Sequence, residues 1–148
     1  MKYTLRPAIQ EDIDWLDPFY ESIMRPYVEL THEWNPDVFR EKFNPANSQI
    51  IQLDGKDVGL FKHEFKEGAL FLWDIQLEEP YRNQGIGSEI VRRLQTDAEE
   101  AELPVRLRVL KGNLAYRFYW RHGFYQVGEL DNCFELEWNA ANKSLGQG

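Results

Sequence analysis

The sequence predicts a mixed α/β fold: a single domain with a central, twisted, mostly antiparallel sheet, one parallel strand pair and about four helices. Three observations carry this. Short apolar runs bounded by Gly, Pro and Asp turns recur from Gln49 to Leu77 and again after Pro104. Between and before them lie apolar residues at helical spacing: Ile13, Leu16, Tyr20 and Met24, then Ile86, Ile90, Leu94 and Ala98. The second of these helices connects a strand ending at Leu77 to one starting at Val105, a crossover that calls for a parallel pair.

Tyr3 to Pro7 reads as the first strand and Glu11 to Met24 as the first helix, with Pro26 expected to stop it. Asn35-Pro36 suits the cap and first turn of a short second helix that carries Val38, Phe39 and Phe43. A meander follows: strands over Gln49–Leu53, Val58–Phe65 and Ala69–Leu77, joined by turns at Asp54-Gly55 and Lys66-Glu67-Gly68. Val105 to Val109 alternates as a strand, and Asn113 to His122 reads as the last helix, closed by Gly123 as a left-handed cap. Phe124–Leu130 and Phe134–Trp138 form a closing hairpin. The domain is expected to span residues 1–138, with 139–148 a flexible tail lacking an apolar pattern.

Composition narrows the function. At 148 residues with 43% apolar content the chain suits one cored domain. Mean hydropathy of −0.59 and the lack of a long uncharged apolar run argue against a membrane span. The opening, Met1 to Arg6, is too polar for a signal peptide. Cys133 is the sole cysteine, which fits a reducing, cytoplasmic setting and a small residue in a strand. The net charge of −8 would repel phosphate backbones, so nucleic acid is a poor partner, whereas a cationic amine would be drawn in. His32, His63 and His122 are scattered without ligand spacing, so no metal is expected.

The chemistry-bearing motif is Arg82-Asn83-Gln84-Gly85-Ile86-Gly87-Ser88, a glycine-rich turn from strand into helix. Backbone N–H groups at a helix start lack partners and share the positive end of the helix dipole, which suits phosphate. The loop is not of the dinucleotide type, since Ile90 stands where a third glycine is needed, and no Gly-Lys-Ser/Thr follows. A second block, Asn113-Leu114-Ala115-Tyr116-Arg117-Phe118-Tyr119-Trp120-Arg121-His122-Gly123-Phe124, comes after the Val105 strand. Together the two blocks resemble the GNAT superfamily of N-acetyltransferases, which pairs a Gln/Arg-x-x-Gly-x-Gly/Ala loop with an Asn-x-Ala-x-x-x-Tyr-x-x-x-Gly-Phe helix. Leu5-Arg6-Pro7-Ala8 with Glu11-Asp12 is similar to that family's first strand and helix start.

The resemblance implies a function: transfer of the acetyl group of acetyl-coenzyme A to a primary amine, by direct attack in a ternary complex. It implies that the parallel strands splay, and that the pantetheine arm pairs with the backbone of Ile75, Gln76 and Leu77. Leu77 would supply the N–H that polarises the thioester carbonyl. The backbone of Arg82, Asn83, Gln84, Gly85, Ile86, Gly87 and Ser88 maps onto the pyrophosphate cradle. Asn113 maps onto a residue that contacts the pantetheine arm, or is a plain N-cap. Tyr119 holds the family's tyrosine position, where a phenol gives the departing thiolate a proton or a hydrogen bond.

The base that deprotonates the amine is less plain. Some members carry a glutamate in the strand before the last helix, but Arg106 and Arg108 stand there. Asp74, a carboxylate inside an apolar run three residues before Leu77, is the best candidate, with water relay as an equal route. Glu29, Glu33 and Trp34, in the segment expected to roof the acceptor pocket, are candidate substrate-binding residues along with Asp74. The acceptor is a small-molecule or peptide amine, and the protein is expected to be a monomer or homodimer. The alternatives are transfer of a longer acyl group, or a non-catalytic coenzyme A-binding module acting as a sensor or interaction domain.

Overall fold

The computed structural model describes residues 2–141. The expected elements are present, with β1 over Thr4–Pro7, α1 over Ile13–Val28, α2 over Val38–Lys42, β2 over Ser48–Leu53, β3 over Lys56–Lys66 and β4 over Ala69–Leu77. Then follow α3 over Ile86–Glu100, β5 over Val105–Leu110, α4 over Ala115–Arg121, β6 over Tyr125–Glu129 and β7 over Cys133–Trp138. The seven strands hydrogen-bond in the order β1-β2-β3-β4-β5-β7-β6. β1–β2, β2–β3, β5–β7 and β6–β7 are antiparallel. β4 and β5 form the one parallel pair, with Leu70 opposite Val105 and Phe71 opposite Arg106, at the start of both strands. Of the expected tail, residues 142–148 lie outside the described residues, while the Asn139 amide donates to Tyr125 Oη at 2.9 Å.

The described residues form two compact units: 2–63 with 74–86, and 64–73 with 87–141. In the first, Ala8, Leu16, Ile50 and Leu60 form a buried cluster against which Trp15, Phe19, Tyr20, Phe39 and Phe43 pack. That packing explains a departure from expectation, because α1 does not stop at Pro26 but runs through it to Val28. An interior proline costs a helix about 3 kcal/mol. Burial of the apolar face of α1 outweighs this local cost, and Arg25 ties Glu21 to Glu29 across the proline at 2.8 and 3.1 Å.

The start of α1 is fixed by charge. Arg6 on β1 donates to both carboxylate oxygens of Asp12, at 2.9 and 2.8 Å, and to Asp57 on β3 at 2.8 Å. Asp12 also accepts from Ile9 N and Trp15 Nε1, each at 2.9 Å. A second local constraint is Gly59 on β3, where any Cβ would collide with the backbone oxygen of Gln76 on β4. Glycine is required there by close approach of two strands.

In the second unit, Val105, Leu107 and Val109 turn inward while Arg106 and Arg108 face out. The two arginines stand opposite Glu137 and Glu135 of β7 and bridge to them at 2.8 and 3.4 Å. They are cross-strand partners on an exposed face. Gly123 ends α4 with φ of +88°, as expected of a left-handed cap.

Candidate active site

β4 ends at Leu77 and the chain passes through the turn at Glu79–Tyr81 into the glycine loop. Residues Arg82 to Gly85 are exposed. Asn83 and Gly85 both have positive φ, 61° and 89°, and the space where a Gly85 Cβ would stand is open. The loop is thus curled by two left-handed residues immediately before the first N–H groups of α3. Arg82 anchors it, with Nε donating to Leu77 O at 2.8 Å, and Gln84 Nε2 donates to Pro80 O at 2.9 Å. Gly87 is different. It lies inside α3, and a Cβ there would touch Phe118 Cζ of α4 at 3.4 Å, an ordinary contact distance. Both glycines belong to the expected pyrophosphate cradle, and at Gly85 the space beside the backbone is open.

The first unit holds a cavity of about 260 Å³ whose lining includes Glu33, Trp34 and Asp74, three residues singled out from sequence. Tyr20 and Val28 of α1, Asn35, Val38, Phe39, Lys42 and Phe43 of the α2 region, and Ser48, Leu60 and Lys62 of the sheet complete it. Aromatic contacts build one wall: the ring centroids of Tyr20 and Phe39 are 4.7 Å apart, and those of Phe39 and Phe43 5.9 Å. Asp74 is half-buried on the strand side, and burial pushes its carboxyl up from 3.8 to about 6. Lys62, Gln76 and Tyr20 oppose that shift but do not cancel it. Gln76 Nε2 lies 3.4 Å from Asp74 Oδ1, and the Tyr20 phenol hydrogen-bonds to the same carboxylate, whose charge pushes the phenol well above its ordinary range. The indole Nε1 of Trp34 is buried and has no hydrogen-bond partner.

Glu29 is not in this lining. Its carboxylate pairs with Arg25 on the exposed side of α1. Lys62 and Tyr20, by contrast, were invisible to sequence reasoning. Each reads as an ordinary strand or helix residue, and only the pairing of β2, β3 and β4 under α1 brings them to Asp74.

In the second unit, Tyr119 sits half-buried on α4 with its ring edge-on to Phe118 at 5.1 Å and to Phe124 at 5.6 Å. Asn113 Oδ1 accepts from Ala115 N at 2.9 Å, so its carbonyl caps the helix start. Ser88 Oγ is 3.0 Å from His122 Nε2, which joins the first turn of α3 to the end of α4. Burial and Arg92 lower the basicity of His122. Cys133 is buried in β7, and burial pushes its thiol up, which favours the unreactive protonated form. Among the described residues no group of His, Cys, Asp or Glu is arranged to hold a metal ion.

The family model for the acetyltransferase (GNAT) domain matches residues 46–126. No curated protein sequence matches the chain. Among solved structures, the PaiA N-acetyltransferase of Thermoplasma acidophilum in complex with coenzyme A superposes with a TM-score of 0.74 at 18% identity, covering 94% of this chain and 99% of that one. Arabidopsis thaliana Naa50 in complex with the bisubstrate analogue CoA-Ac-MVNAL gives 0.65 at 19% identity, covering 94% and 99%. A GNAT-family acetyltransferase from Listeria monocytogenes gives 0.68 at 12% identity, covering 92% and 94%. These likenesses carry the fold, and the matched span carries the assignment: the chain belongs to the GNAT acetyltransferase family.

Proposed function

We propose that the protein is an N-acetyltransferase that moves the acetyl group of acetyl-coenzyme A to a primary amine. The observation that carries this is the exposed turn after β4, in which left-handed Asn83 and Gly85 lead straight into the N-terminus of α3. The residues present fit a pyrophosphate. Arg82 adds positive charge, the open side of Gly85 admits phosphate oxygens to the backbone, and the α3 dipole favours anions.

The thioester, when bound, supplies an activated acetyl carbon and a thiolate leaving group. The backbone of Ile75 to Leu77 is the edge along which the pantetheine amides pair, with the Leu77 N–H donating toward the thioester carbonyl. The amine nitrogen attacks that carbon, the C–S bond breaks, and the amine loses one proton while the thiolate gains one. Asp74 receives the amine's proton, directly or through water. A carboxyl held near 6 is ionised at neutral pH and is a stronger base than an ordinary aspartate. Tyr119 returns a proton, or a hydrogen bond, to the departing sulfur. A free phenol near 10 and a thiol near 8.5 make full transfer modestly uphill, so the hydrogen bond is the larger contribution.

Tyr119→Phe tests the reading, because it keeps the ring contacts with Phe118 and Phe124 and deletes only the hydroxyl. Thiol release from acetyl-coenzyme A over an amine panel should fall by about a hundredfold or more, with coenzyme A affinity unchanged by calorimetry. Full turnover in the Phe variant would leave Tyr119 a packing residue, and no thiol release by the native protein would sink the enzyme reading.

A further inference from the structure

Ser88 stands in the first turn of α3, among the N–H groups that suit a phosphate. Its hydroxyl is already engaged, 3.0 Å from Nε2 of His122 at the end of α4. A hydroxyl has a single proton to give. Given to a neutral imidazole nitrogen, that proton is withheld from a phosphate oxygen. Protonating the imidazole reverses the bond, because Nε2–H then donates to Ser88 Oγ and the hydroxyl proton is released. The state of His122 therefore sets what the first turn of α3 offers an anion.

The surroundings hold His122 in place and in its neutral form. Gln95 Nε2 donates to its carbonyl oxygen at 2.8 Å, and its ring lies 4.8 Å from that of Phe118. Burial, then the charge of Arg92, lowers its basicity. Ser88, Arg92 and Gln95 of α3 and Phe118 of α4 surround it, and its chain neighbour Arg121 is exposed. None of these groups neutralises an imidazolium, whereas a phosphate at the start of α3 does.

We propose that His122 is a positioning residue for the cofactor phosphates, taking up a proton as the anion binds and turning the Ser88 hydroxyl toward it. The step balances: one solvent proton joins Nε2, and the Ser88 hydrogen exchanges Nε2 for a phosphate oxygen as its acceptor. Affinity is thereby linked to pH and rises as pH falls. This rests on the coenzyme A reading for the identity of the anion, but not on the chemistry of Asp74 or Tyr119.

The probe is dephospho-coenzyme A, which keeps the pyrophosphate and lacks the phosphate monoester that itself titrates near about pH 6. Calorimetry on the full chain, in two buffers of different ionisation enthalpy, gives Kd and the protons taken up. From about pH 7.5 down to about pH 5.5 the Kd should tighten by about threefold or more, with net proton uptake. Long-range 1H–15N spectra should show His122 as the Nδ1–H tautomer in the free protein, with Nε2 protonated in the complex. His122→Gln, a neutral side chain that cannot titrate, should lose both the uptake and the pH dependence. Ser88→Ala should shrink both, and serves should the Gln variant fail to fold. Asp74, the other group raised into this pH range, is intact in each variant.

Uptake and pH dependence that persist in His122→Gln, or an Nε2–H tautomer in the free protein, overturn the assignment. A pH-independent Kd in the native protein overturns it and leaves the acetyl-transfer reading standing. Proton-linked binding that His122→Gln abolishes, without thiol release from acetyl-coenzyme A with any amine, upholds the role of His122 and sinks the enzyme reading. No binding of either dephospho-coenzyme A or coenzyme A overturns both.

Discussion

Asp12 and Asp74 belong to the same compact unit and meet opposite environments. Asp12 is buried at the start of α1, yet every oxygen has a donor: two from Arg6, one from Ile9 N and one from Trp15 Nε1. Its carboxyl is held down at about 2, chiefly by the Arg6 hydrogen bonds. Asp74 lines a cavity, with a long contact to Gln76, a phenol from Tyr20 and a lysine for company, and burial lifts it to about 6. The contrast separates two uses of one side chain. A carboxylate saturated by its own chain fixes structure, and one left under-satisfied beside a cavity is available for chemistry.

The largest expected effect lies on the saturated side. Asp12→Ala strips Arg6 of a bidentate partner and removes the acceptor of two part-buried donors, so it should cost about 3 kcal/mol in denaturant unfolding. The catalytic constants of the folded fraction should not change. A loss under 1 kcal/mol would erase the distinction between the two aspartates.

Next comes pH. Asp12, lowered from 3.8 to about 2, contributes stability that is complete above about pH 4 and is lost as pH falls through 2. Asp74, raised from 3.8 to about 6, has the reverse sign. It removes stability as pH rises from about 4 through 6, to a total on the order of 3 kcal/mol. Asp74→Asn should therefore be more stable than the native chain at pH 8 and match it near pH 4. Equal stabilities at both pH values would show that Asp74 is not strained by burial. The smallest effect is expected for Trp15→Phe, which removes one of the four donors to Asp12 and should cost about 1 kcal/mol, read as a small shift in the urea midpoint.

Much of this was legible in the sequence, for reasons that are local. Asp54, Gly55 and Gly68 have the positive φ values their residue types foretell, and the step from β4 to α3 lies where the glycines place it. The pairing of Arg82-x-x-Gly-x-Gly with Asn113 to Phe124 led to the family. The errors and omissions share a non-local cause. Pro26 carries a local cost that core packing of α1 overrides. Gly59 looks like any strand glycine until the Gln76 backbone passes over it. Of the carboxylates expected near the acceptor, Glu33 and Asp74 share a cavity, whereas Glu29 turns to Arg25 one helical turn before it. Charge and position in the chain do not distinguish these; the direction each side chain takes does.

The central claim is that Asp74 takes the amine's proton, and the pH dependence of kcat/KM tests it most directly. The native protein, assayed with the fastest amine of the panel, should show a rising limb with an apparent pKa near 6, from Asp74, below the limb of the amine itself. In Asp74→Asn the limb near 6 should vanish and the rate at neutral pH should fall at least tenfold. A variant that keeps both the limb and the rate would contradict the account and leave Asp74 a structural residue.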